Sequence, residues 1–219
     1  DILDKFKQPY DPKSFNLQQT ATNILGLEYK EIIPKIEYKV KDKPCKEKYI
    51  CISPHASAGA KYWQHPTGWQ DIIDYINNTL KYKVLLISHE GHNDSFHNSK
   101  LPGGKKLKNI IDFTGDHPIE DIMSIIHHSE LYIGVSSGLA WLTWALNKPT
   151  LMISGFSSEW TEFSSKMTRI INKDVCNSCF NNHKLDAGDW DWCPSHKDTP
   201  RQFECTKKIS PEIVIEGII

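Results

Sequence analysis

Short apolar runs that alternate with helical stretches restrict this chain to very few architectures. Tyr49-Ile50-Cys51-Ile52-Ser53, Val84-Leu85-Leu86-Ile87, Asn109-Ile110-Ile111-Asp112-Phe113, Leu131-Tyr132-Ile133-Gly134-Val135 and Pro149-Thr150-Leu151-Met152-Ile153 read as buried strands. Between the first two, Trp69, Ile72, Ile73, Ile76 and Leu80 share one face of a helix. Pro118 opens a second helix at a position where a missing N–H costs little, and Ile119, Ile122, Met123 and Ile126 form its apolar side. A third is expected from Gly138 to Leu146. Strands that alternate with helices imply right-handed crossovers and a parallel sheet covered on both faces. The expected class is α/β, a Rossmann-like doubly wound sheet, in which ligands bind beyond the carboxyl ends of the strands.

The rest of the chain divides around that unit. Residues 1–48 read as a lead-in or linker from a missing or partial N-terminal domain, broken by Pro9, Pro12, Pro34 and Pro44, with a short helix from Leu17 that ends near Gly26. Residues 49–171 form the Rossmann-like unit, 172–208 a cysteine-bearing finger, and 209–219 a closing helix with Ser210 as N-cap and Pro211 at its first position. A net charge of −1 argues against a nucleic-acid footprint or an anionic-membrane patch. No apolar run approaches the ~20 residues that span a bilayer, and the start, Asp1-Ile2-Leu3-Asp4-Lys5, has no signal-peptide h-region. A cytoplasmic location is expected. Without an initiator Met, a fragment or a processed product is also expected.

Three strand ends carry candidate chemistry. After the first strand comes Ser53-Pro54-His55-Ala56-Ser57-Ala58-Gly59-Ala60-Lys61, where small residues let backbone N–H groups approach an anion, Ser57 adds a hydroxyl and Lys61 a point charge. A flexible loop with one surface lysine is the plainer alternative. The fourth strand runs into Ser136-Ser137-Gly138-Leu139-Ala140-Trp141, small hydroxyl residues at a helix start, which suit an anion or simply cap the helix. Two such loops on one sheet favour a diphosphate. After the second strand, Glu90 is placed to accept hydrogen bonds from a ribose diol, or it is solvated. His89, His92 and His97 have no metal-ligand spacing and read as loop residues.

Six cysteines are too few for a disulfide-dense secreted domain of this length. Cys176, Cys179, Cys193 and Cys205 cluster within one stretch, the first two as a C-x-x-C knuckle. Four thiolates suit tetrahedral zinc or iron. The residues between them show little apolar periodicity, so the segment is expected to depend on its ion to fold. Reduced pairs or disulfides are the alternatives, and ligand softness does not separate zinc from iron.

Together these residues resemble a known family. His55-Ala56-Ser57 with Lys61 and Trp63, Glu90, and Gly134-Val135-Ser136-Ser137-Gly138-Leu139 are similar to the C-terminal half of glycosyltransferase family 9, the ADP-heptosyltransferases. Ile153-Ser154-Gly155-Phe156, Glu162-Phe163 and Val175-Cys176-Asn177-Ser178-Cys179 resemble its bacterial autotransporter branch, and residues 16–34 resemble that branch's lead-in. The resemblance implies the donor half of a type-B glycosyltransferase fold. It implies that Ser57 and Lys61 face the donor diphosphate and Glu90 the ribose, while Ser137, Gly138 and Leu139 meet phosphates and sugar. Ser136 and Trp141 would lie near the sugar, where lipopolysaccharide enzymes of the family carry Asp and His. It implies one structural iron on the four cysteines, with zinc as the alternative, and a large homo-oligomer. The activity implied is heptose transfer from ADP-heptose to Ser/Thr hydroxyls of an autotransporter adhesin. The family's catalytic carboxylate comes from its N-terminal domain, so no catalytic base is nominated here, and the isolated chain is expected to bind donor but transfer little sugar. A different nucleotide sugar and a non-catalytic metal-finger assembly module are the competing expectations.

Overall fold

A computed structural model describes residues 14–89, 101 and 106–219. Helix α1 (Leu17–Ile24) precedes strand β1 (Tyr49–Ser53). A single 3-10 turn (Gly59–Lys61) leads to α2 (Gly68–Tyr75), which continues as a wider π turn over Ile76–Leu80. Then come β2 (Lys83–Ser88), β3 (Ile111–Thr114), α3 (Ile119–His128), β4 (Leu131–Val135), α4 (Gly138–Ala145), β5 (Thr150–Ile153) and β6 (Met167–Ile170). Two four-residue helices, α5 (Cys179–Asn182) and α6 (Glu204–Lys207), lie in the finger, and α7 (Pro211–Ile218) closes the chain. Among the described residues, no helix is long and apolar enough to cross a membrane.

The strands form one sheet in the order β3-β2-β1-β4-β5-β6, and every neighbouring pair is parallel. Strand side chains alternate between faces, and the packing follows that alternation. Ile50, Ile52, Val84, Leu86, Ile133, Val135, Leu151 and Ile153 join Trp69, Ile72, Ile73, Ile76 and Val214 in one core, which α2 and α7 cover. Tyr49, Cys51, Leu85, Ile87, Tyr132 and Met152 join Ile122, Ile125, Ile126, Ala140 and Trp144 in the other, under α3 and α4. The two-layer covering explains why these strands read as unbroken apolar runs.

Three expectations need correction. The strand read at 109–113 begins at Ile111, because Asn109 has a left-handed backbone with φ 58°. The helix read over 69–80 is an α-helix only to Tyr75. The edge strand β6 was not foreseen. In addition, part of residues 1–48 is docked onto the sheet unit. The Leu17 N–H donates to the Thr161 carbonyl (2.9 Å), the Glu31 carboxylate accepts from the Ser164 and Ser165 N–H groups (3.0 and 2.9 Å), and the Lys41 N–H donates to Ser124 Oγ (3.0 Å).

Gly134 in β4 is required by a close approach. A Cβ there would lie 2.5 Å from the Tyr132 hydroxyl, which belongs to a fully buried side chain. Gly134→Ala is expected to destabilise the fold by roughly 1–3 kcal/mol. Urea unfolding checks this, and a variant with wild-type midpoint and slope would contradict it.

Candidate functional site

The chain reverses its direction of winding between β1 and β4: β2 and β3 are laid down on one side, β5 and β6 on the other. The loops leaving β1 and β4 therefore diverge and open a crevice beyond the carboxyl edge of the sheet. A pocket of about 520 Å³ occupies it, bounded by Ser53 and the 55–61 loop, by Ser88 and His89 after β2, and by residues 136–142. Leu17, Ile119, Trp141 and Leu142 supply apolar wall.

Of the residues singled out in the sequence, Ser57, Lys61, Ser136, Ser137, Gly138, Leu139 and Trp141 all line this one pocket. Glu90 lies outside the described residues, as do His92 and His97. His89, read only as a loop residue, lines the pocket. Lys61 Nζ lies 3.5 Å from Ser57 Oγ and 5.9 Å from the centre of the Phe156 ring. Burial pushes its pKa below the ordinary lysine value, and the Glu162 carboxylate pulls it part of the way back. In the same pocket α4 begins at Gly138 after the extended Ser137. The first N–H groups of a helix have no intrahelical acceptor, and the dipole adds partial positive charge there. A cation and a helix N-terminus thus line one crevice, the electrostatics that a diphosphate needs.

A buried polar network lies behind Ser136. The Ser136 hydroxyl donates to Glu162 Oε1 (2.5 Å), and Ser157 Oγ donates to the same oxygen (3.1 Å). The Arg169 guanidinium pairs with Glu162 Oε2, and both side chains are almost wholly enclosed. Sequence reasoning did not assign Glu162 to the site. The segment Glu162-Phe163 was visible as a branch mark, but its partner Arg169 sits on the unforeseen strand β6.

The finger packs against the loop that carries Ser57 and Lys61 and against residues 155–156 after β5. The Gly59 N–H donates to the Trp190 carbonyl (3.1 Å), and Trp190 meets Tyr62 edge-on at 5.8 Å. The Ser178 and Phe180 N–H groups donate to the Gly155 and Phe156 carbonyls (2.8 and 3.0 Å). The finger also has apolar packing of its own. Ala60, Phe156, Trp192, Cys193 and Phe203 form a small core, flanked by Cys179, Phe180 and Leu185. Trp190 and Trp192 are therefore used within the chain, one on the 59–62 loop and the other on Phe156.

Cys176, Cys179, Cys193 and Cys205 are all free thiols. Burial raises the pKa values of Cys176 and Cys179 to about 11 and of Cys205 to about 12. Neighbouring thiols contribute in each case, and every pairing among the four interacts. This mutual influence puts the four thiols in one neighbourhood, where thiolates would repel one another less with a soft cation among them. Among the described residues, the grouping whose ligand atoms lie within 4.8 Å of one another is Cys176, His196 and Glu204, which takes in one of the four cysteines. Glu204 is already engaged, since Arg201 Nε donates to both its oxygens (3.1 and 3.0 Å) and holds its pKa down to about 2. Glu204 thus fits better as an outer partner of Cys176 than as a ligand.

Comparison with known proteins converges on one family. The autotransporter heptosyltransferase BAHTCr of Citrobacter rodentium is 36% identical over 212 residues, 94% of this chain and 49% of the relative. The autotransporter heptosyltransferase Aah of Escherichia coli is 36% identical over 219 residues, covering 99% and 54%. The crystal structure of TibC from enterotoxigenic E. coli, described as an iron-containing dodecameric glycosyltransferase, superposes with a TM-score of 0.88 at 32% identity, over 100% of this chain and 56% of that one. TibC in complex with ADP-D-beta-D-heptose superposes with a TM-score of 0.85 at 32% identity, over 98% and 55%. The chain spans about half the length of the relatives it matches. The model of glycosyltransferase family 9 (heptosyltransferase) matches residues 13–187, which include both pocket loops and the C-x-x-C knuckle, and the chain belongs to that family.

Proposed function

We propose that this chain is the donor-binding half of a glycosyltransferase that uses ADP-heptose and glycosylates Ser/Thr hydroxyls of an autotransporter adhesin. The observation that carries the reading is that Lys61 and the N-terminus of α4 line one and the same pocket. The similarity to TibC, solved with ADP-D-beta-D-heptose, supports the donor, and the names of the relatives support the acceptor class. In the reaction, an acceptor oxygen forms a bond to the anomeric carbon as the bond from that carbon to the phosphate oxygen breaks. ADP departs with the electron pair. Lys61, Ser57 and the N–H groups at Gly138 stabilise the growing charge on the diphosphate. The acceptor proton goes to a base for which no residue of this chain is nominated, and Glu90 is proposed for the ribose.

The same reading assigns one structural metal to Cys176, Cys179, Cys193 and Cys205. Thiolates suit either iron or zinc, and the iron-containing TibC favours iron. Assembly into a homo-oligomer and a cytoplasmic site of action complete the proposal. Calorimetry with ADP, ADP-heptose and UDP-sugars tests it: binding of the ADP compounds is expected, and no binding to any of them would favour a metal-finger assembly module instead. Sugar transfer by this chain alone is expected to be negligible, and robust transfer would refute the assignment as a donor half.

A further inference from the structure

The orientation of one proton in the pocket follows from the groups behind it. Glu162 is 3% exposed, with its carboxylate shared among Arg169, Ser157 and Ser136. An ion-paired carboxylate accepts hydrogen bonds and donates none. At 2.5 Å from Glu162 Oε1, the Ser136 hydroxyl therefore has its proton committed inward. Ser136 lines the pocket, and its hydroxyl oxygen keeps lone pairs with which to accept. A phosphate oxygen is also acceptor-only at neutral pH and finds no partner there. A sugar hydroxyl does, because it can donate.

We infer that Glu162 is a positioning residue that turns Ser136 into an obligate hydrogen-bond acceptor, so that Ser136 reads a hydroxyl of the donor sugar and not the diphosphate. The inference rests on the nucleotide-sugar reading of the pocket and adds a division of labour to it. Ser57, Lys61 and the start of α4 take the anion. Ser136, backed by Glu162, Ser157 and Arg169, selects the sugar. Arg169 matters here because it keeps the carboxylate charged inside the fold, where an unpaired charge would be costly.

The test compares two ligands on the intact, metal-loaded chain by calorimetry: ADP, which has the diphosphate alone, and ADP-heptose. Ser136→Ala should leave ADP affinity within about twofold of wild type and weaken ADP-heptose by about tenfold, the scale of one lost polar contact. Glu162→Gln supplies the complementary readout. Its amide NH2 would donate to Ser136, releasing the hydroxyl proton into the pocket. ADP-heptose should then weaken by a similar factor while ADP binding is retained or strengthened, and retained ADP binding certifies that the variant is folded. Equal weakening of both ligands by Ser136→Ala would make Ser136 a phosphate contact and overturn the inference. So would no change with either ligand. A wild-type chain that binds neither ligand would overturn the nucleotide-sugar reading itself, and this inference with it.

Discussion

Lys61→Ala is expected to weaken ADP and ADP-heptose binding together by about 10–100-fold, the range for a charge-assisted contact to phosphate. Both ligands should suffer equally, because the lost charge faces the part they share. The lysine is held between Ser57 and the Phe156 ring, at the edge of a crevice that limits its access to water. Burial lowers its pKa, so its charge is lost at a lower pH than that of an exposed lysine. Donor affinity should therefore decline as pH rises toward the lysine range and begin to decline below the usual value. Lys61→Ala should flatten that alkaline limb. Calorimetry across pH checks both effects, and an unchanged affinity at neutral pH would remove Lys61 from the site.

The second large effect concerns the finger. Cys205→Ala should lower bound metal from about one ion per chain to near none, measurable by elemental analysis, because three thiolates leave a tetrahedral site open. Donor affinity should also fall, by roughly tenfold. The finger carries Trp190, whose carbonyl accepts from Gly59 and whose ring meets Tyr62, on either side of Lys61. It also anchors Gly155 and Phe156 through the backbone of residues 178–180. Loosening the finger removes the support of the loop that holds the cation. Coupling of this kind is reciprocal, so ADP-heptose should slow metal extraction by a chelator. A metal-free variant that binds ADP-heptose at full strength would confine the finger to folding or assembly.

Much of this was legible before any coordinates, and the parts that were not have physical reasons. The central strands announce themselves because both faces of a parallel sheet are covered, which forces Ile50, Leu85 and Ile133 to be apolar irrespective of parity. The two pocket loops were legible because small and hydroxyl residues follow two strands of one sheet, with Lys61 in one of them. Strand β6 was not, since it lies at the edge, has four residues and contains Arg169, whose charge is neutralised only by a partner elsewhere in the chain. Without β6 there was no reason to see Glu162 as buried and paired. The finger's packing was also hidden. Its core is built from Phe156, Trp192 and Phe203, which are widely separated in sequence and leave no periodic trace. The clustering of the four cysteines is plain in the sequence, but the finger's contact with the 55–61 loop depends on Gly59, where a Cβ would come 2.8 Å from Trp190 Nε1.

The central claim is that the crevice between β1 and β4 receives the diphosphate of a nucleotide sugar, and a crystal structure of this chain with ADP-heptose tests it most directly. The account predicts diphosphate density between Lys61 Nζ and the N–H groups at Gly138 and Leu139, with the sugar toward Ser136. Density for the nucleotide elsewhere, for example in the groove beside His65 and Trp69, with the β1–β4 crevice empty, would contradict it.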